Sequence, residues 1–224
     1  MKLFPLAALI LLAACGRPLT ESEKTFANQL FGGDTNTEVI RFHDGALVGK
    51  VTYKRQKRPR LACRERIWPE PKSETVTVGP AAIALHNTVF YSKPFYTNDY
   101  LDAYPEGFNL FAAMLFAHEL THVWQWQNRK KTGYSPLRAA NEHKAGEDPY
   151  LYDINTKTRF LDYAYEQQAS IVEEYVCCAT LDPSAPRTAR LRALLKQAFP
   201  VGKLHIPKEV RIPWEGAQTK GICM

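Results

Sequence analysis

The chain has 224 residues, 45% of them hydrophobic and 12% aromatic, which is enough for one globular core and too apolar for a disordered or fibrous chain. A formal charge of +6 favours anionic surroundings, but it is mild and no recognition motif accompanies it, so nucleic acid is not an expected partner.

The first segment reads as an address. Met1-Lys2 is positive, and the apolar run from Leu3 to Ala14 is too short to span a bilayer. It ends in Leu12-Ala13-Ala14-Cys15, followed by the polar Gly16-Arg17-Pro18. This resembles the lipobox of bacterial lipoproteins. The resemblance implies a signal peptide over 1–14, lipidation of Cys15 and export to the periplasmic face of the outer membrane. Residues 15–224 then form a single domain with an extended C-terminal tail, touching the membrane only through that lipid.

After a weak helical pattern from Leu19 to Leu30, short apolar runs between Glu38 and Tyr53, broken at Asp44-Gly45 and Gly49, predict a hairpin. Lys50, Lys54, Arg55, Lys57, Arg58, Arg60, Arg64 and Arg66 make a basic stretch, either a solvated loop or a contact for anionic envelope polymers. Thr75–Val78 and Ile83–Tyr91 predict further strands, one of them an edge strand beside the following helix. From about Phe108 to Arg129 there is no Pro or Gly, and Phe111–Ala117 is apolar nearly all round, which predicts a buried central helix. Residues 130–149 read as a long surface connection. A second long helix is expected from about Thr156, capped by Asn155, to Thr180, and a third from Pro186 to Phe199.

Cys63, Cys177, Cys178 and Cys223 suit two disulfides in an oxidising compartment. Adjacent cysteines on a helix point about 100° apart, so Cys63 and Cys223 are each expected to pair with one of the Cys177-Cys178 doublet. Four buried thiols remain the alternative.

The chemistry lies in Ala117-His118-Glu119-Leu120-Thr121-His122-Val123. Histidines at i and i+4 share a helix face and can bind a single zinc ion, one per chain. The intervening glutamate reaches the ion's open side, where a bound water has a pKa lowered towards about 7 and the carboxylate can take its proton. Three polar side chains on an apolar helix are poorly explained as packing.

These residues resemble the zincin metallopeptidases. Gln125 and Asn128 stand where the metzincin continuation needs glycine and histidine, so the likeness is to the gluzincin branch, and in particular to short minigluzincin-like proteins. That resemblance implies an α+β fold, with a small sheet, then the active-site helix, then a second helix bearing the third ligand. It implies Glu166, in Glu166-Gln167-Gln168-Ala169, as that ligand, with Glu173, Glu174, Asp162 and His143 as rivals. Thermolysin-like enzymes continue with Ser-Asp where this chain has Ala169-Ser170. Glu173 is a candidate to orient a ligand histidine, and equally a surface carboxylate. The proton donor is open among Tyr150, Tyr152, Tyr163, Tyr165 and His143. Trp124 and Trp126 read as packing. The expected function is a zinc metallopeptidase with Glu119 as general base, acting on a peptide or protein substrate. The alternative is a non-catalytic zinc-containing lipoprotein that serves as a scaffold.

Overall fold

The computed structural model describes residues 16–45, 53–144 and 147–224. Helix α1 (Glu21–Phe31) starts at Thr20, whose hydroxyl accepts from the Glu23 N–H while the Glu23 carboxylate accepts from the Thr20 N–H, the capping box its sequence encodes. Glu23 is fully buried. It pairs with Arg17 at 2.7 Å and accepts from the Tyr100 N–H at 3.0 Å, so α1 is fastened to the loop that precedes the central helix.

The β structure departs from the expected hairpin. Strand β1 (Arg41–Asp44) and strand β2 (Tyr53–Gln56) do not pair with each other. β2 pairs antiparallel with β3 (Thr75–Val78). β1 runs parallel to β5 (Thr88–Tyr91), which pairs antiparallel with β4 (Ala82–Leu85), giving the sheet order β1-β5-β4. Four-residue strands carry a period but no record of their partner, and Phe42 is buried with Val89 and Tyr91 rather than folded back on the next strand. Residues 46–52, where the hairpin turn was expected, lie outside the described residues. β4 is an edge strand and packs beside the central helix.

That helix, α3 (Leu110–Gln127), is capped by Asn109, whose side chain accepts from the Ala112 N–H. It is buried on nearly every face, as its apolar first turns dictate. Phe116 meets Phe26, Phe42 and Tyr100 on one side, and Trp124 meets Phe160 and Phe199 on the other. Trp126 lies at the rim, packed at a tilt against His86 and beneath Arg129.

The connection after α3 is not bare loop, because it holds two short helices, α4 (Arg129–Thr132) and α5 (Pro136–Ala140). The next long helix, α6 (Tyr165–Leu181), begins nine residues later than expected from Thr156. Asn155 does not cap it: its side chain is held by Asp153, and the first free N–H groups of α6, at Tyr165 and Glu166, donate to the Glu142 carboxylate at 2.9 and 3.0 Å. Helix α7 (Pro186–Leu195) stops short of Phe199, which packs on Phe31 and Trp124. The tail returns to the body as β7 (Glu209–Arg211), parallel to β6 (Gly107–Asn109).

Two disulfides close the architecture. Cys63, at the start of the four-residue helix α2 (Cys63–Arg66), is bonded to Cys177, and Cys178 to Cys223, so α6 carries both bridges. The basic stretch is not an open cationic face. Arg58 makes two hydrogen bonds to Asp148, Lys57 meets Glu70 and Glu74, and Arg60 and Arg66 donate to carbonyl groups. The fold is α+β, with small sheets around a helical core.

Candidate metal centre

α3 and α6 pack along one another, and their facing sides bring three donors together. His118 and His122 stand one turn apart on α3, and Glu166 projects from the first turn of α6. Glu166 Oε2 lies 3.3 Å from His118 Nε2 and 3.2 Å from His122 Nε2, and all three donor atoms fall within 4.8 Å of one another. Each of these residues is more than nine-tenths buried.

The remaining ring nitrogens are also engaged. His118 Nδ1 lies 3.3 Å from Glu173 Oε2, and His122 Nδ1 lies 2.9 Å from Gln125 Oε1. Gln125 in turn donates to the Gln168 side chain and to the Tyr165 carbonyl, and so is fixed from α6. A partner on each Nδ1 orients both Nε2 lone pairs towards Glu166, the arrangement a metal ion requires of its histidines. Two imidazoles and a carboxylate form a donor set that suits zinc and its neighbours. Cys63, Cys178 and Cys223 also bring sulfur atoms within 4.8 Å of one another, but each is engaged in a disulfide and offers no thiolate.

The rival ligands separate by geometry. Asp162 pairs with Arg159 at the surface. Glu174 is buried against α2 and Arg187. Glu173 stands behind His118. His143 sits at the rim, its Nε2 3.7 Å from Glu166 Oε1 and 3.1 Å from the Tyr150 hydroxyl. Tyr150 faces the site, its ring centre 5.7 Å from that of His118. Tyr163 and Tyr165 donate to backbone carbonyls elsewhere, and Tyr152 is half-buried near Arg64. Tyr134, which no motif singled out, lies over His122. Gln125 was readable three residues after His122, whereas Arg64 and Glu142 reach the site from distant chain and left no signal.

Glu119 differs from its neighbours. It is 5% exposed and accepts no hydrogen bond from any described residue. Burial raises its pKa, and the two histidines only partly offset that. Burial also disfavours charge on the histidines, yet hydrogen bonds with Glu166 and Glu173 outweigh it at His118 and raise its pKa to about 10. His122 is raised against the same penalty by Glu166. Glu166 is held below the ordinary carboxylate range, the imidazolium charges overcoming its own burial.

The site therefore takes up protons when no ion is present. His118 stabilises the ion-free fold fully below its ordinary pKa of about 6.5, and that contribution is lost as pH rises towards 10. Glu166 acts in the opposite sense, with its contribution present above about pH 4.3 and lost as pH falls. In chelator, the urea midpoint should thus fall between pH 6.5 and 9. Binding of zinc at pH 7 should release at least one proton per ion, read by calorimetry in buffers of different ionisation heat. A midpoint flat over that range, with no proton release, would contradict this account.

No family model matches the chain. The type VI secretion system spike protein VgrG2b of Pseudomonas aeruginosa is 34% identical over 92 residues, which make up 39% of this chain and only 8% of that protein. Among solved structures, the effector domain of Pseudomonas aeruginosa VgrG2b matches with a TM-score of 0.52 at 23% identity, over 83% of this chain and 84% of that one. At that identity, the structural likeness is one of fold. Both findings place the likeness with VgrG2b rather than with a gluzincin, and they correct the expected metallopeptidase function, in its catalytic and scaffold forms alike. A short motif and a later glutamate specify how two helices can hold an ion, and do not specify which family's body surrounds them. The lipoprotein reading gains nothing from either comparison. Cys15 and residues 1–14 lie outside the described residues, and among those described no helix is long and apolar enough to cross a membrane.

Proposed function

We propose that this chain is a metal-dependent enzyme of the effector-domain kind, built on a zincin-like pair of helices in which His118, His122 and Glu166 hold one zinc ion. The observation that carries the enzymatic reading is Glu119: a carboxylate on a largely buried side chain, hydrogen-bonded to no described residue, beside three converging donors. A purely structural site gains nothing from an acid beside an open coordination position. When bound, an ion of this kind supplies Lewis acidity and lowers the pKa of coordinated water. Glu119, its own pKa raised by burial, takes a proton at a carboxylate oxygen and returns it to a leaving group. His143 and Tyr150 stand at the mouth, where their N–H and O–H groups can meet a bound substrate.

The fold likeness to an effector domain supports an action directed at a recipient, and the two disulfides support work outside a reducing compartment. The test is to produce the full chain, wild type or Glu119→Gln, in a Gram-negative host, either exported or retained in the cytoplasm. Metal content is measured on both purified forms. Equal zinc in the two, with growth inhibited only by exported wild type, is the expected result. Equal inhibition by Glu119→Gln would overturn the enzymatic reading in favour of binding alone.

A further inference from the structure

We infer that Arg64 is a positioning residue of the metal centre, fixing Glu173 against His118, and that the Cys63–Cys177 disulfide holds Arg64 in place, tying the grip on the ion to oxidation of that pair. The inference rests on the metal-binding reading above and adds residues that the motif does not contain.

One oxygen carries the link. Glu173 Oε2 lies 3.3 Å from His118 Nδ1 and 3.1 Å from Arg64 Nη1. A glutamate on the flank of a helix has several rotamers, and a charge-assisted hydrogen bond from a buried guanidinium selects the one that faces the histidine. Arg64 is itself 7% exposed. Its Nη2 donates to the Tyr150 carbonyl at 2.9 Å and so also ties down the segment whose tyrosine faces His118. A single guanidinium thus sets both the back of one ligand histidine and part of the wall in front of it.

What holds Arg64 is not its own helix. α2 has four residues, far too few to persist alone. It is fastened at Cys63 to Cys177, one turn beyond Glu173 on α6, by a bond that spans 114 residues of chain. The disulfide therefore sets α2 down beside the stretch of α6 that bears Glu173. Breaking it releases the end of α2 from which Arg64 projects. Glu174, which accepts from the Cys63 and Arg64 N–H groups, is then the remaining tether at that end.

The experiment uses the whole chain. Zinc affinity is measured by competition with a chelating dye, and the visible spectrum is recorded with cobalt(II) in place of zinc. The variants are Arg64→Ala, Arg64→Lys, Glu173→Gln, the Arg64→Ala/Glu173→Gln pair, and Cys63→Ser with Cys177→Ser. Partners that orient a ligand histidine typically account for about 10–100-fold in metal affinity. Arg64→Ala and Glu173→Gln should each weaken zinc by about that factor, and the pair by no more than the stronger single change. Arg64→Lys should recover part of the loss. The cobalt spectrum of Arg64→Ala should shift, because a misdirected His118 alters the ligand field whereas a merely less stable fold does not. The double serine variant should lose affinity by a similar factor, and should lose little more when Glu173→Gln is already present. If that variant does not fold, the chain with Cys178→Ser and Cys223→Ser, which keeps only the Cys63–Cys177 bridge, is treated with a water-soluble phosphine and decides the point. The S–S bond breaks to two thiols, the phosphine is oxidised to its oxide, and water supplies the oxygen and both protons. Circular dichroism on the same sample reports folding. A wild type that binds zinc and an Arg64→Ala that binds it within about twofold, with an unchanged cobalt spectrum, would overturn the role of Arg64. Unchanged affinity without the disulfide would overturn the coupling to oxidation. A wild type that binds neither metal would instead remove the metal-binding reading itself.

Discussion

Replacing Glu174 by alanine should lower the thermal midpoint by about 6–20 °C, the largest loss of stability expected from any single polar side chain of this protein. Glu174 is fully buried. One of its oxygens accepts from the Cys63 N–H at 2.9 Å and from Arg187 Nε at 3.0 Å, and the other accepts from the Arg64 N–H at 3.1 Å. It thereby joins three helices, holding the first-turn amides of α2 and the cation of α7 from a position on α6. Truncation leaves Arg187, only 21% exposed in its side chain, and two backbone amides without their acceptor. Stranding one member of a buried pair costs about 3–5 kcal/mol. In a domain of this size each kcal/mol moves the midpoint by about 2–4 °C. Glu174→Gln keeps one acceptor oxygen and should fall between the wild type and alanine. Scanning calorimetry at constant zinc decides the matter, and a shift below about 3 °C would mean that the disulfide alone fastens α2.

What could be read from residues, and what could not, follows from how far each interaction reaches along the chain. α3 was legible because its determinants are local: no helix breaker, an apolar surface all round and Asn109 at its head. That His118 and His122 face one point is a property of the helical repeat. The start of α6 was misplaced because its carboxylate cap, Glu142, lies 24 residues from Glu166, and Ala164 at the N-cap position has no side chain that could cap the helix. The partner of β1 was misplaced for a related reason. Parallel pairing with β5 depends on the intervening chain, to which the residues of a four-residue strand give no clue. Arg64, 109 residues from Glu173, is the extreme case: within a basic run it looked like one more solvated cation. The family assignment failed differently. Local sequence picked out three donor side chains that converge, and the rest of the chain, which the motif does not sample, is similar in fold to an effector domain.

The second large effect is expected at the metal centre itself. Glu166→Gln should weaken zinc binding by about two to three powers of ten. Structural zinc is held with about 10–16 kcal/mol, so each of four coordination positions accounts for about 2.5–4 kcal/mol. Glutamine keeps the volume of the side chain, and the Glu142 cap acts on the backbone of residue 166, so α6 should start where it does now. What is lost is the charge that faces both histidines at 3.3 and 3.2 Å. In the ion-free protein the same loss removes the main support for protonated His122 and part of that for His118, so both imidazoles should titrate at lower pH. The fall in stability between pH 6.5 and 9 should shrink with them. Binding by competition and imidazole titration by NMR give two independent readings of one substitution. Their value lies in order as much as in size. Affinity should fall most for Glu166→Gln, by about 10–100-fold for Glu173→Gln, and hardly at all for Glu119→Gln, which is hydrogen-bonded to no described residue. Activity per bound ion should follow another order, with Glu119→Gln the most damaged. A ligand, an orienting carboxylate and a proton-transferring carboxylate, all within two turns of facing helices, are thereby told apart. If Glu166→Gln held zinc as tightly as the wild type, the third donor would have to be sought at His143, the nearest remaining nitrogen at the rim.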